Sequence, residues 1–176
     1  MKGKLLAIAA LILIAAPLVA QDEFPRAQVF GGYSYFNIDT SGLVGRKSLN
    51  GWNGQATFNF NRWLGVTADF GGYYGKIEGV TTHDYTYLFG PTVTYRAERV
   101  APFFHALFGG SHIGLSGGGA SGSDNAFALA VGGGVDVPIK SFGIRVVQVD
   151  WLRTQHLNTD QNNVRISTGI FFDFGK

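Results

Sequence analysis

Ser48-Leu49-Asn50-Gly51-Trp52-Asn53-Gly54-Gln55-Ala56-Thr57-Phe58-Asn59-Phe60 alternates over most of its length. Trp52, Gly54, Ala56, Phe58 and Phe60 share one parity, and Asn53, Gln55, Thr57 and Asn59 hold the other. A period of two describes a strand with two unlike faces, and a 3.6-residue repeat is not found elsewhere in the mature sequence. The same alternation recurs on both sides. It predicts eight strands, at Ala27–Ile38, Ser48–Phe60, Trp63–Gly75, Asp84–Arg96, Ala101–Ile113, Asn125–Val137, Phe142–Thr154 and Asn163–Phe174. The seventh reads cleanly only with a bulge near Val146-Val147, which lets Arg145, Gln148 and Asp150 share a side.

Side-chain size decides which face meets what. The apolar parity carries Trp52, Phe58, Phe60, Phe70, Tyr85, Tyr87, Phe89, Phe127, Phe172 and Phe174. An eight-stranded barrel has an interior just wide enough for side chains to fill, and so many rings would overfill it. The other parity is mostly Gly, Ala, Ser, Thr, Asn and Gln. It suits a narrow lumen and lacks the Lys and Glu of a soluble surface. The rings therefore face outward into lipid. In hydrocarbon the sheet must close, because an open edge leaves amides unpaired at several kcal/mol each. The fold expected is an all-β, closed, eight-stranded, antiparallel up-and-down transmembrane barrel, its lumen filled by small and polar side chains.

Composition agrees. Glycine counts 26 of 176 residues, aromatics are 14%, charged residues only 15%, and cysteine is absent, which excludes disulfides and thiolate metal sites. Met1-Lys2-Gly3-Lys4, the apolar run Leu5 to Ala16 and a small residue at Ala20 have the layout of a secretory signal peptide over residues 1–20. Residues 21–176 then form the barrel domain. Loss of Lys2 and Lys4 would leave 12 basic against 12 acidic residues, a balance that offers nucleic-acid phosphates little. Arg46, Lys47, Lys76, Glu78, Arg96, Glu98, Arg99, Asp124, Lys140 and Asp160 fall in or beside connections. Tyr35, Trp52, Trp63, Tyr74, Tyr85, Tyr95 and Trp151 fall near strand ends, where interfacial girdles lie. Connections after strands two, four and six are short. Those after strands one, three, five and seven are longer: Asp39 to Lys47, Lys76 to His83, Gly114 to Asp124, and Gln155 to Asn162. Short turns face the periplasm in outer-membrane barrels.

Val29-Phe30-Gly31-Gly32-Tyr33-Ser34-Tyr35, Gly51-Trp52-Asn53-Gly54, Asn61-Arg62-Trp63-Leu64-Gly65, Pro102 through Gly110 and Val147-Gln148-Val149-Asp150-Trp151 stand in an order and spacing that resembles the small outer-membrane β-barrel family, the transmembrane-domain type of outer-membrane protein A. The resemblance covers about residues 24–176. It implies the bacterial outer membrane and insertion by the barrel-assembly machinery. The face composition adds outer-membrane lipid as surroundings, and the leading expectation is a structural or surface-interaction role with extracellular partners met through loops. Ser167, Gly169, Phe172 and Phe174 match the family's C-terminal assembly signal, although Gly175-Lys176 follow the last aromatic.

Asp69, His105, Asp136, Arg145, Asp150, Arg165 and Asp173 fall on the lumen parity. Buried charges must pair or be hydrated. They form either a structural plug of ion pairs or an ion path through a narrow pore. The plug is favoured because an eight-stranded lumen leaves little room. A lipid-modifying enzyme is the third alternative. Ser111 and His112 would be its nucleophile and base, but adjacent strand residues point to opposite faces. No catalytic, cofactor or metal residue is expected. Gly117-Gly118-Gly119-Ala120-Ser121-Gly122 lacks the Lys-Ser/Thr ending of a phosphate loop and precedes a strand, so an extracellular loop is expected. Gly132-Gly133-Gly134 lies within a strand and marks a bend or close packing.

Overall fold

The computed structural model describes residues 24–38, 45–77, 79–117, 120–156 and 159–175. The expected leader at 1–20 lies outside these residues. Eight strands follow in order: β1 Ala27–Ile38, β2 Lys47–Asn59, β3 Leu64–Ile77, β4 Val80–Thr94, β5 Ala101–Gly117, β6 Ala120–Ile139, β7 Phe142–His156 and β8 Thr159–Phe174. Each pairs antiparallel with its neighbours in sequence. β8 returns to β1 from Ala27↔Phe174 to Asn37↔Val164, closing the barrel. With no free edge, every strand finds ladder partners inside hydrocarbon.

Alternation places the rings outside. Phe127 is 61% exposed while its neighbour Ala128 is 0% exposed. Trp52, Phe58, Phe70, Phe89, Phe108, Ile170 and Phe172 belong to the same outward belt. At the short-turn end, Trp63 and Tyr95 pack with ring centroids 5.2 Å apart. At the other end, Tyr74 meets His83 and Tyr85 edge-on. The bulge expected in strand seven is present. The pairing of β7 with β8 shifts between Arg145 and Gln148, and that with β6 shifts between Val135 and Asp136. Val146 and Val147 both face out, so Arg145, Gln148 and Asp150 all face in.

Two expectations need correction. Three of the four longer connections are chiefly strand. Lys76↔Thr81, Ile113↔Asp124, Ser116↔Ser121, Gly117↔Ala120 and Gln155↔Asp160 are register pairs of extended hairpins. β6 runs for 20 residues, where about 9–11 tilted residues cross a bilayer. Above the membrane both faces meet water, so the apolar–polar alternation is not required there. The ladder instead inherits its register from the membrane-embedded pairs beneath it. The lumen is also not uniformly small and polar. Phe36, Ile38, Leu49, Tyr73, Leu88, Leu107 and Leu152 pack inside as a buried apolar cluster with Ala128 and Ala130. Phe30, Phe103 and Phe171 are buried nearer the short turns. Glycines on the same or an adjacent strand make room for such groups. A Cβ at Gly71 would lie 2.2 Å from the Tyr73 hydroxyl, and one at Gly143 would lie 2.3 Å from the Phe171 ring.

Candidate functional site

The inward parity of β3, β5, β6, β7 and β8 brings six of the seven predicted charged residues into one buried network. Arg165 on β8 is its centre. Its Nε donates to Asp150 Oδ2 at 2.7 Å. Nη1 and Nη2 donate to Asp69 Oδ1 and Oδ2 at 2.7 and 2.9 Å, the parallel geometry of a guanidinium–carboxylate pair. Nη1 also reaches the Tyr73 hydroxyl at 3.1 Å. His105 Nε2 donates to Asp150 Oδ1 at 2.8 Å. Arg165, Asp69 and Asp150 are each 0% exposed.

A second centre lies toward the short-turn end. Arg145 Nε donates to Asp136 Oδ1 at 2.7 Å and its Nη2 to Asp136 Oδ2 at 3.0 Å. The guanidinium sits between the rings of Phe30 and Phe103, 4.2 Å from each centroid. Packing of this kind on both faces fixes its plane. Asp173, the seventh residue, is not part of the buried centre. It is half-buried at the mouth and accepts from Gln28 Nε2 at 3.2 Å.

Uncharged amides join the two centres, and charge-based sequence reasoning missed them. Gln148 Nε2 donates to Asp150 Oδ2 at 2.7 Å, while its Oε1 accepts from Arg145 Nη1, also at 2.7 Å. Gln55 Nε2 donates to Asp69 Oδ2 at 2.6 Å, and its Oε1 accepts from Arg145 Nη1 at 2.5 Å. Asn53 Nδ2 supplies a further bond to Asp69 at 3.1 Å. The signal for these residues was available, since each sits on the inward parity of its strand. Beside them Thr57, Thr67 and Thr92 form a hydroxyl ladder with spacings of 2.8 and 2.6 Å.

Along the axis the lumen is layered. Toward the long hairpins the lumen holds the apolar cluster, with Phe36 stacked on Tyr73 at 4.4 Å, together with the buried polar side chains of Asp84, Thr86, Ser111, Thr154 and Asn163. The Arg165 layer comes next, then the Arg145 layer, then a mouth of about 290 Å³ lined by Gln28, Thr94, Arg96, Asp136, Phe171 and Asp173. Burial lowers the pKa of the Arg96 guanidinium, opposed by the Asp173 and Asp136 carboxylates. Among the described residues no group of three or more potential ligands could hold a metal. Ser111 points inward and donates to Asp84 Oδ1 at 2.8 Å, whereas His112 Nδ1 meets Asn125 Oδ1 at 2.8 Å on an exposed contact. Of the residues matched to an assembly signal, Ser167 is buried and bonded to Ser34 at 2.9 Å. Gly169 lies opposite Gly32, and Phe172 and Phe174 are exposed on the lipid face.

The sequence matches the outer-membrane protein β-barrel domain family over residues 6–172. The chain belongs to that family. Its place is the bacterial outer membrane, which fits the apolar belt and the closed sheet. No curated protein matches the sequence. Among solved structures, this outer-membrane barrel is similar to Neisserial surface protein A, with 16% identity, a TM-score of 0.73, and 84% of this chain and 97% of that chain covered. It is also similar to Ail, the attachment invasion locus protein of Yersinia pestis, with 19% identity, a TM-score of 0.60, and 85% and 100% covered. The N-terminal β-barrel domain of Pseudomonas aeruginosa OprF gives 10% identity, a TM-score of 0.54, and 85% and 100% covered. At these identities the likeness is one of fold.

Proposed function

We propose that this outer-membrane barrel is a closed, non-conducting structural protein that meets extracellular partners through its hairpins and performs no catalysis. One observation carries the reading. Arg165 is wholly enclosed between Asp69 and Asp150, directly beneath a packed apolar cluster. An ion crossing the lumen would have to break that layer and then shed its water among leucines and rings, and burial of an unpaired charge is prohibitive. The separation of Ser111 from His112 by the sheet supports the absence of an acyl-transfer pair. Hairpins that rise beyond the bilayer support a surface role. Residues 1–20 serve as the cleaved leader in this reading, and Ser167, Gly169, Phe172 and Phe174 present the strand to the barrel-assembly machinery. No nucleic acid or cofactor is involved.

Planar-bilayer recording of the refolded chain tests the proposal. No discrete steps above the lipid baseline are expected. Reproducible unitary conductance would overturn the plug and favour a narrow pore for ions or small solutes.

A further inference from the structure

The outer surface of the barrel is not evenly filled by its rings. On the lipid face of β2 to β5, beside the short turn that joins β2 to β3, lies a groove of about 360 Å³. Gly65 and Gly90 form its floor, and Phe60, Leu64, Phe89 and Phe108 its walls. A second groove of about 270 Å³ shares Val66 and Phe89 with it and runs over Ala56 and Ala68. The turn between Phe60 and Leu64 carries Arg62 and Trp63. The Arg62 guanidinium lies 5.8 Å from the centroid of the exposed Trp63 ring, and Trp63 stacks toward Tyr95 at the level where interfacial aromatics sit. Arg62 Nη2 donates to Arg96 O at 3.1 Å, and Arg96 Nη1 donates back to Arg62 O. Each guanidinium thus holds the other residue's main chain, with Arg96 also lining the lumen mouth and Arg62 exposed. Around the short-turn rim, Arg26, Arg62, Arg96, Arg99 and Lys140 stand against Glu98, Asp136 and Asp173 among the described residues.

We infer that this corner is a binding site for one anionic phospholipid of the inner leaflet. The acyl chain lies in the groove beside Val66, and the headgroup phosphate sits against Arg62. Apolar walls favour the chain. A guanidinium at headgroup depth favours phosphate. The basic excess on the rim selects a lipid with net negative charge over a zwitterionic one. The short-turn end faces the periplasm, where the phospholipid leaflet is. The site is distinct from the lumen network and does not depend on whether the barrel conducts.

Native mass spectrometry of the full chain, titrated with phosphatidylglycerol, phosphatidylethanolamine or lipid A, tests the site. The chain should retain phosphatidylglycerol in preference to the other two. Arg62→Gln should weaken that retention about tenfold, the loss of one charge-assisted contact, while Arg62→Lys keeps most of it. Val66→Phe, which fills the groove, should weaken it with Arg62 intact. Equal retention by wild type and Arg62→Gln overturns the site, as does equal binding of phosphatidylethanolamine or lipid A. A second measurement needs no change at the site. With Trp52 and Trp151 replaced by Phe, brominated phosphatidylglycerol should quench Trp63 more than brominated phosphatidylethanolamine at the same mole fraction. Equal quenching overturns the inference.

Discussion

Replacing Arg165 with glutamine removes the cation that Asp69 and Asp150 share, while keeping a side chain able to donate hydrogen bonds. The consequences for the two carboxylates differ. Asp150 keeps the His105 Nε2 and Gln148 Nε2 bonds at 2.8 and 2.7 Å. Asp69 keeps only the amides of Gln55 and Asn53, at 2.6 and 3.1 Å, and no positive charge. A pair whose charge centres are about 4 Å apart contributes roughly 4 kcal/mol at an effective dielectric near 20. Desolvation of Asp69 is no longer offset once that contribution is lost, and breaking a buried pair by removing one partner costs about 3–5 kcal/mol. That is a large part of a total stability of about 5–15 kcal/mol. Asp69→Asn in the same chain removes the stranded charge, so the double variant should recover roughly 1–3 kcal/mol relative to the sum of the single losses. Urea unfolding in phosphatidylcholine vesicles, followed by tryptophan emission and heat-modifiable gel migration, measures both quantities. An Arg165→Gln barrel within about 0.5 kcal/mol of wild type, the range of an ordinary surface change, would refute the reasoning, as would strictly additive losses.

Three further outcomes follow from the geometry. Phe89 faces lipid near the middle of β4, so Phe89→Arg should destabilise the barrel in vesicles by about 2–4 kcal/mol, read as a lower urea midpoint. Gly132 lies against the Asp150 carboxylate, where an added Cβ would come within 2.1 Å of Oδ1. Gly132→Ala should therefore displace Asp150 and lower the temperature at which the folded gel band is lost. Lys140, in the short turn between β6 and β7, has a φ of 65°. Lys140→Gly should relieve that conformation and raise stability by about 1 kcal/mol in the same unfolding assay.

Most of the transmembrane architecture was legible because lipid imposes a strict rule. A segment such as Trp52 to Asn59 can satisfy a hydrocarbon outside and a crowded inside only by alternating. The bulge at Val146-Val147 was legible for the same reason, since two successive valines on the lipid face break the period and leave Arg145 and Asp150 on one side. Outside the bilayer that rule lapses. Thr81-Thr82 and Ser121-Gly122 have loop composition but continue the ladder, because their partners are already held in register below. Inside the barrel, size misled. Tyr73, Leu88, Leu107 and Leu152 are bulky yet inward, a placement that depends on space left by glycines such as Gly71 on the same or an adjacent strand, which alternation alone does not reveal. Charged residues announced the network, whereas Asn53, Gln55 and Gln148 did not. An amide on a polar parity has the same appearance whether it bridges an arginine and an aspartate or meets a neighbour's hydroxyl.

The cost of burying three carboxylates and two guanidiniums in a barrel interior calls for a return, and the positions of the partners indicate one. The backbone seam between β1 and β8 carries no instruction about where β8 must stop, because a ladder displaced along the strand makes equivalent amide bonds. Side chains carry that instruction. A slip of one residue would turn Arg165 into the acyl chains and bring Ile166 inward. It would put a guanidinium on the lipid face and would strand Asp69 and Asp150 as buried charges without their shared partner. Arg165 reaches across the lumen to β3 as well as sideways to β7, so it ties the last strand to the N-terminal half independently of the seam. Arg145 does the same from β7, reaching Gln55 on β2 and Gln28 on β1. The network thus ties β7 and β8 to β1, β2 and β3 through contacts that a displaced register would break. The donors around Asp69, Asp136 and Asp150 come from strands on several sides of the lumen, and each bond opposes a displacement of the strand that carries it.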